Sequence, residues 1–145
     1  MNSVIPFETQ HYYDINHTER NALMCQGVDF DPEVMLRFGH VVTVIVEDKP
    51  VAIMGFVNLA NGVCEVYTMP DKDIKKYRFT YSKEVRKYLR RLAELPIYHR
   101  IQLIAVDDET HNRWCEFLGF VKEGTMLRYD EIKRTFNMWR FEHGS

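Results

Sequence analysis

The spacing of apolar positions changes several times along the chain, and each change marks an element. Ser3–Phe7 reads as a short opening strand. Tyr12, Ile15 and Leu23 fall at helical spacing and predict a helix over 12–26, stopped by Gly27. Asp31 and Pro32 open a second, short helix as N-cap and first helical residue, with Val34, Leu36 and Phe38 as its apolar positions and Gly39 at its end. From Val41 the period shortens. Val41–Glu47 and Val51–Val57 are β-branched, apolar runs joined by a polar turn over 47–50. Asn61-Gly62, a strong hairpin signal, leads to a third strand over Val63–Thr68. Connections this short make the three strands an antiparallel meander.

A polar, basic stretch follows Pro70 and runs into a helix over about 79–95, where Val85, Leu89 and Leu92 lie at i, i+4 and i+7 and Pro96 closes the element. Ile101–Val106 is a nearly continuous apolar run, as expected of a buried central strand. Thr110–Leu118 reads as a helix with Thr110 as N-cap, Trp114, Phe117 and Leu118 as its apolar face, and Gly119 just beyond its end. Val121–Tyr129 and Thr135–Phe141 form a last pair of strands. A helix connecting the strands at 63–68 and 101–106 is a crossover, so those two strands should be parallel inside an otherwise antiparallel sheet. The expectation is an α/β (α+β) fold with a mixed, mostly antiparallel sheet, splayed between those strands and carrying helices on both faces. No repeat, low-complexity tract or linker interrupts residues 1–145, so a single domain is expected.

The late part of the chain carries a family resemblance. Ala105-Val106-Asp107, then His111-Asn112-Arg113-Trp114, then Phe117-Leu118-Gly119-Phe120-Val121-Lys122-Glu123-Gly124 resembles the late motif of the GNAT superfamily of acyl-CoA-dependent N-acyltransferases. There a strand leads to an Asn-bearing helix that ends in Leu-Gly-Phe and returns as a strand. The glycine belongs to the left-handed turn at the helix end. With the element order, the resemblance covers roughly residues 3–141.

That resemblance implies acetyl-CoA as co-substrate, lying in the splay of the sheet and attacked directly by an amine acceptor in a ternary complex. Backbone N–H groups of the strand at 63–68, near Tyr67 and Thr68, would stabilise the oxyanion. Glu65 stands where many members carry a general base that works through water. Cys115 stands four residues before the helix-ending Gly119, where members usually carry a general-acid Tyr, and would be the general acid in its place. Asn112 matches the family's cofactor-contacting Asn. Each has a plainer reading as well: a sheet carboxylate paired with a Lys or Arg, a small buried hydrophobe, and a polar residue of a helix's first turn.

The chain departs from the family at its phosphate loop. Members carry a Gln/Arg-x-x-Gly-x-Gly/Ala loop whose glycines let backbone N–H groups approach the pyrophosphate. Here Met69–Phe79 contains no glycine. Lys75, Lys76 and Arg78, beside the start of the helix near Thr80, would have to take the pyrophosphate by charge.

A narrower resemblance is to small GNAT-like proteins of short-tailed phages, some of them internal virion proteins. It rests on Lys49-Pro50-Val51-Ala52-Ile53-Met54-Gly55, Cys64-Glu65-Val66-Tyr67-Thr68, Arg78-Phe79 with the basic helix, and His111-Asn112-Arg113-Trp114. It implies a phage-encoded protein of the host cytoplasm or the virion. The alternative to catalysis is then a non-catalytic partner of phage structural proteins in particle assembly or genome delivery.

Composition narrows the remaining classes. The 145 residues are 46% hydrophobic and 28% charged, an ordinary globular balance that supports a core without disulfides or metals. The formal net charge of −2 confines any nucleic-acid contact to a local patch. The basic run over 75–91 is such a patch, for cofactor phosphates or nucleic acid, or else a solvated helix face. Tyr77, Phe79 and Tyr81 interleave with it, a pattern suited to base stacking. The apolar runs at Val41–Val46 and Val51–Val57 are too short to span a bilayer, and Met1–Gln10 lacks the pattern of a signal peptide. Three scattered cysteines without a CxxC pair, and six histidines without HxxxH spacing, support no metal site.

Overall fold

The computed structural model describes residues 2–17 and 31–142. Its elements are β1 (Ser3–Pro6), α1 (Thr9–Asp14), a 3-10 turn Pro32–Arg37, β2 (Val41–Val46), β3 (Lys49–Ala60), β4 (Val63–Pro70), a 3-10 turn Ile74–Tyr77, α2 (Arg78–Glu94), β5 (Arg100–Val106), α3 (Glu109–Leu118), β6 (Phe120–Met126) and β7 (Phe136–Phe141). The strands form one seven-stranded sheet in the order β1-β2-β3-β4-β5-β7-β6. β4 and β5 are parallel, paired from Val63↔Arg100 to Val66↔Leu103. β1–β2, β2–β3, β5–β7 and β6–β7 are antiparallel. The sheet is therefore mixed and mostly antiparallel, as the crossover predicts. β4 runs on to Pro70 and β5 to Val106, so their mutual pairing stops before either strand does.

The chain divides into two compact units, 1–57 with 67–85 and 58–66 with 86–145. Crossings fall inside β3, β4 and α2, which is why no linker composition marks them. In the first unit Phe7, Ile15, Met35, Val41, Ile53 and Met69 form a buried cluster, with Tyr12 and Tyr67 packed against it. In the second, Cys64, Leu89, Leu103, Leu118 and Trp139 are among the buried residues, and Phe120 meets Phe141 edge-to-face at 5.4 Å.

Several boundaries differ from the sequence expectation. The helix expected over 12–26 is instead α1, Thr9–Asp14. Glu8 and His11 cap it reciprocally, with Glu8 N–H donating to His11 Nδ1 at 3.0 Å. It ends because Ile15 turns extended and is buried, and the N–H of Asn16 goes to the Asp71 carboxylate at 3.1 Å. The remainder of 12–26 from residue 18 lies outside the described residues. Asp31 caps the next segment as expected, accepting from Glu33 N–H at 3.0 Å, but that segment is 3-10 rather than α. The turn between β2 and β3 is two residues, not four: Glu47 and Asp48 both sit at positive φ, 52° and 61°, the backbone of a type I′ hairpin. Asp108, not Thr110, caps α3: the helix begins at Glu109, and the Asp108 carboxylate accepts from His111 N–H at 2.7 Å. β5 alternates rather than being buried throughout, with Ile101, Leu103 and Ala105 inside and Gln102 and Ile104 half-buried.

Gly119 ends α3 in the left-handed region at φ 104°, its N–H donating to Cys115 O and Glu116 O. A Cβ there would stand 3.2 Å from Phe141 Cε1. Gly119→Val should therefore lower unfolding stability by about 1–2 kcal/mol in denaturant titration, the penalty of a β-branched residue at positive φ. A loss well under about half a kcal/mol, within the range of ordinary surface substitutions, would show that the left-handed cap is not required.

Candidate functional site

The stretch between β4 and α2 is where the sequence resemblance would place a phosphate, and its backbone is already engaged. Asp71 is 1% exposed. Its carboxylate accepts from Asn16 N–H at 3.1 Å and from Asp73 N–H at 2.9 Å. Asp71 N–H donates to Val51 O at 2.8 Å, Lys72 N–H to Asn16 O at 2.8 Å, Ile74 N–H to Asp71 O at 3.0 Å and Lys76 N–H to Asp73 O at 3.0 Å. The N–H groups of residues 71–74 and 76 are thus satisfied within the protein, with a buried carboxylate among them. An anion approaching this backbone meets neither the free donors nor the glycine-sized gap that a peptide cradle needs.

The cations are placed differently. Lys75, Lys76 and Arg78 are exposed, and among the described residues none forms an ion pair with a carboxylate. The Arg78 guanidinium lies 5.9 Å from the Phe79 ring centre, and Lys49 Nζ lies 5.9 Å from that of Tyr77. Thr80 is half-buried in the first turn of α2. Lys75, Lys76 and Arg78 offer charge attraction to an anion.

On β4, Tyr67 and Thr68 are both half-buried. The Tyr67 ring lies across Gly55, where an added Cβ would fall 2.1 Å from Tyr67 Cζ. Burial pushes the Tyr67 phenol up to about 12, so it stays protonated at neutral pH. The Thr68 side chain is hydrogen-bonded to Tyr81, whose phenol burial raises and this bond lowers.

In the second unit, Glu65 stands opposite Gln102 in the parallel ladder, and Gln102 Nε2 donates to Glu65 Oε1 at 2.9 Å. Gln102 Oε1 accepts from Arg100 Nε at 2.9 Å, and Arg100 grips both Glu123 oxygens, at 3.2 and 2.5 Å. Arg140 Nε also bonds Glu123, at 3.0 Å, and Arg140 pairs with Glu142. The direct Lys or Arg partner of the plainer reading is replaced by an amide that relays to Arg100. One oxygen of the Glu65 carboxylate is held in place, and among the described residues no hydrogen bond engages Oε2. That oxygen can accept a proton.

Asn112 belongs to a side-chain network. Its Nδ2 donates to Asp107 Oδ1 at 3.0 Å, and fully buried Asn137 donates to Asp107 Oδ1 at 2.9 Å and to Asn112 Oδ1 at 3.1 Å. Thr125 Oγ1 donates to Asn137 Oδ1 at 2.9 Å. Cys115, one turn along α3, is fully buried, and burial pushes its thiol up to about 12, helped by the neighbouring charges of Glu116 and Asp108. As placed, the thiol is enclosed and its proton meets nothing in solvent, so the buried-hydrophobe reading describes its surroundings.

Sequence reasoning missed Gln102, Asp107 and Asn137, which hold the named residues, and Asp71 and Tyr81, which hold the loop and Thr68. Gln102 and Asn137 left a signal as lone amides inside apolar strands. Asp71 left none, because Asn16 and Val51 are far away in sequence. Among the described residues no group of three or more His, Cys, Asp or Glu is arranged to hold a metal ion, and no helix is long and apolar enough to cross a membrane.

No protein-family model and no curated protein matches the chain. Solved structures do. A ribosomal-protein-S5-alanine acetyltransferase from Vibrio fischeri superposes with a TM-score of 0.73 at 17% identity, over 98% of this chain and 93% of that one. A spermidine N-acetyltransferase chimera from Vibrio cholerae and hSSAT gives 0.77 at 13% identity, over 97% and 94%. An acetyltransferase from Bacillus subtilis, solved in complex with CoA, gives 0.70 at 13% identity, over 98% and 99%. At these identities the likeness establishes the fold: it is that of the GNAT acetyltransferases.

The Asp107 carboxyl is held below its usual range, chiefly by the hydrogen bonds from Asn112 and Asn137. A depressed carboxyl stabilises the fold above its unfolded value, about 4, and loses that contribution as pH falls through the folded value. Asn112→Ala removes one donor, so the Asp107 midpoint in an NMR titration should rise, and the stability lost on acidification should be smaller and complete at a higher pH. An unmoved midpoint would show that Asn112 does not hold Asp107. Asn137→Ala should cost roughly 1–3 kcal/mol by removing the fully buried amide that bonds Asp107, Asn112 and Thr125.

Proposed function

We propose that this protein is an acyl-CoA-dependent N-acyltransferase that transfers an acetyl group to an amine and holds the coenzyme pyrophosphate with side-chain cations. The observation that carries the reading is the short parallel ladder: β4 pairs with β5 only from Val63 to Val66, although β4 runs on to Pro70 and β5 to Val106. In this reading a backbone N–H of β4 beyond Val66, at Tyr67 or Thr68, stabilises the oxyanion as the amine nitrogen adds to the thioester carbonyl. The C–N bond forms, Glu65 takes the ammonium proton through water, and the C–S bond breaks to release the coenzyme thiolate. A thiol with an ordinary value of about 8.5 leaves without a strong acid, and the thiolate takes its proton from solvent rather than from the enclosed Cys115.

A second reading is a non-catalytic protein with this fold, acting in a phage particle or in the host cytoplasm through structural partners. The engaged N–H groups of residues 71–74 and 76, and the buried Asp71 carboxylate among them, favour it.

Calorimetric titration with acetyl-CoA separates the two. The acyltransferase reading expects affinity in the range of tens of micromolar or weaker, falling further as salt is added. Changing Lys76 and Arg78 together to Ala should lower affinity at least about tenfold, by removing charge-assisted contacts. Glu65→Gln should leave binding intact and lower turnover on an amine panel by at least about a hundredfold. Tight, salt-insensitive binding would show that a backbone cradle exists. No binding at low salt would exclude the acyltransferase and leave the binding protein.

A further inference from the structure

The charge along α2 is far from even. Between Lys75 and Arg91, eight lysines and arginines stand against one acid, Glu84, a net charge of +7. The whole chain carries −2, so the other residues together carry −9. Elsewhere Arg100, Arg113, Arg134 and Arg140 pair with carboxylates. Among the described residues no cation of the segment 75–91 joins such a pair.

The exposed side of α2 concentrates this charge. Val85, Leu89 and Leu92 are buried, while Lys83, Lys87, Arg90 and Arg91 are exposed on the opposite side. Arg86 is separate, with its guanidinium 5.0 Å from the Phe117 ring centre. Lys83 and Lys87, and Lys87 and Arg91, are like-charge pairs four residues apart, an arrangement that destabilises a helix. A face selected only for solvation would be expected to mix signs and gain from i,i+4 pairs. A row that repels itself is relieved when a polyanion lies along it.

We infer that the exposed face of α2 binds single-stranded nucleic acid, with Lys83, Lys87 and Arg91 on successive phosphates and Phe79 as a platform for a base. The three cations recur once per turn, at about 6 Å of rise, and form a straight track along the helix. Phe79 is 75% exposed, one turn before Lys83 on the same side, with Arg78 5.9 Å from its ring centre. An exposed aromatic at the end of a cationic track is the pairing that sequence-tolerant single-strand binding uses. A lipid surface fits less well, because an interfacial helix turns its apolar face to the bilayer and that of α2 is buried in the protein.

The inference is independent of acyl transfer and leaves Lys75, Lys76 and Arg78 untouched, so the two readings can fail separately. The test is fluorescence anisotropy of the full chain with a labelled oligothymidylate of about 16 nucleotides, from about 50 to 200 mM salt. Binding should weaken linearly in log–log form, and changing Lys83, Lys87 and Arg91 together to Ala should lower the slope by about 2, at roughly 0.7 per phosphate contact. Phe79→Ala should weaken binding at least about fivefold, with Phe79→Tyr restoring it. Thermal melting confirms that each variant is folded, and Lys87→Glu should melt no lower than the parent while losing binding. Excess acetyl-CoA should not displace the oligonucleotide. No binding at low salt, an unchanged slope in the triple variant, or binding to phosphatidylserine vesicles that the oligonucleotide cannot compete away would each overturn the inference.

Discussion

Two neighbouring strands can run in the same direction only if the chain returns to its starting edge between them, and α2 makes that return between β4 and β5. The parallel ladder is short, from Val63 to Val66 against Arg100 to Leu103, yet much of the chemistry hangs on it. Its register sets Glu65 opposite Gln102, and Gln102 passes the Glu65 carboxylate on to Arg100 and Glu123. A slip of one residue would turn one of these side chains to the other face and dissolve the relay. The ladder ends at Val66 although β4 runs on to Pro70 and β5 to Val106.

Two polar groups placed inside the fold, Asn137 and Asp71, are satisfied by their neighbours. Asn137 sits on β7 opposite Ala105 and Thr125, and there it joins Asp107, Asn112 and Thr125 in one network. The network ties the end of β5 and the first turn of α3 to β7. It gives Asn112 a positioning task at the mouth of α3, whatever else it contacts. Asp71 has the corresponding task in the first unit, gathering the N–H groups of Asn16 and Asp73. The same arrangement engages the N–H groups of residues 71–74 and 76, so in the acyltransferase reading anion binding would shift from peptide donors onto flexible cations. A cation on a long side chain attracts phosphate from a distance but loses rotamer freedom on contact, so this substitution favours weak, salt-dependent binding.

Much of the fold was legible in the sequence, because it depends on local rules. Period-2 and period-3.6 patterning located β2 to β4, α2 and β5 to β7 within a few residues, Asn61-Gly62 and Gly119 marked their ends, and the length of the α2 crossover dictated the one parallel pair. The net charge of the basic helix was equally visible. What lay beyond the sequence were the choices made by partners far away in the chain. Helix α1 ends at Asp14 because Asn16 is claimed by Asp71, 55 positions later. Glu65 is held by a glutamine rather than a cation because the register, not the composition, selects Gln102. Cys115 occupies the position of a proton donor in the motif, yet the packing around α3 encloses it. Sequence determines periodicity, turns and charge because these act over a few residues. Tertiary structure alone decides which buried polar groups meet, because each such contact depends on the packing of elements that are distant in the chain.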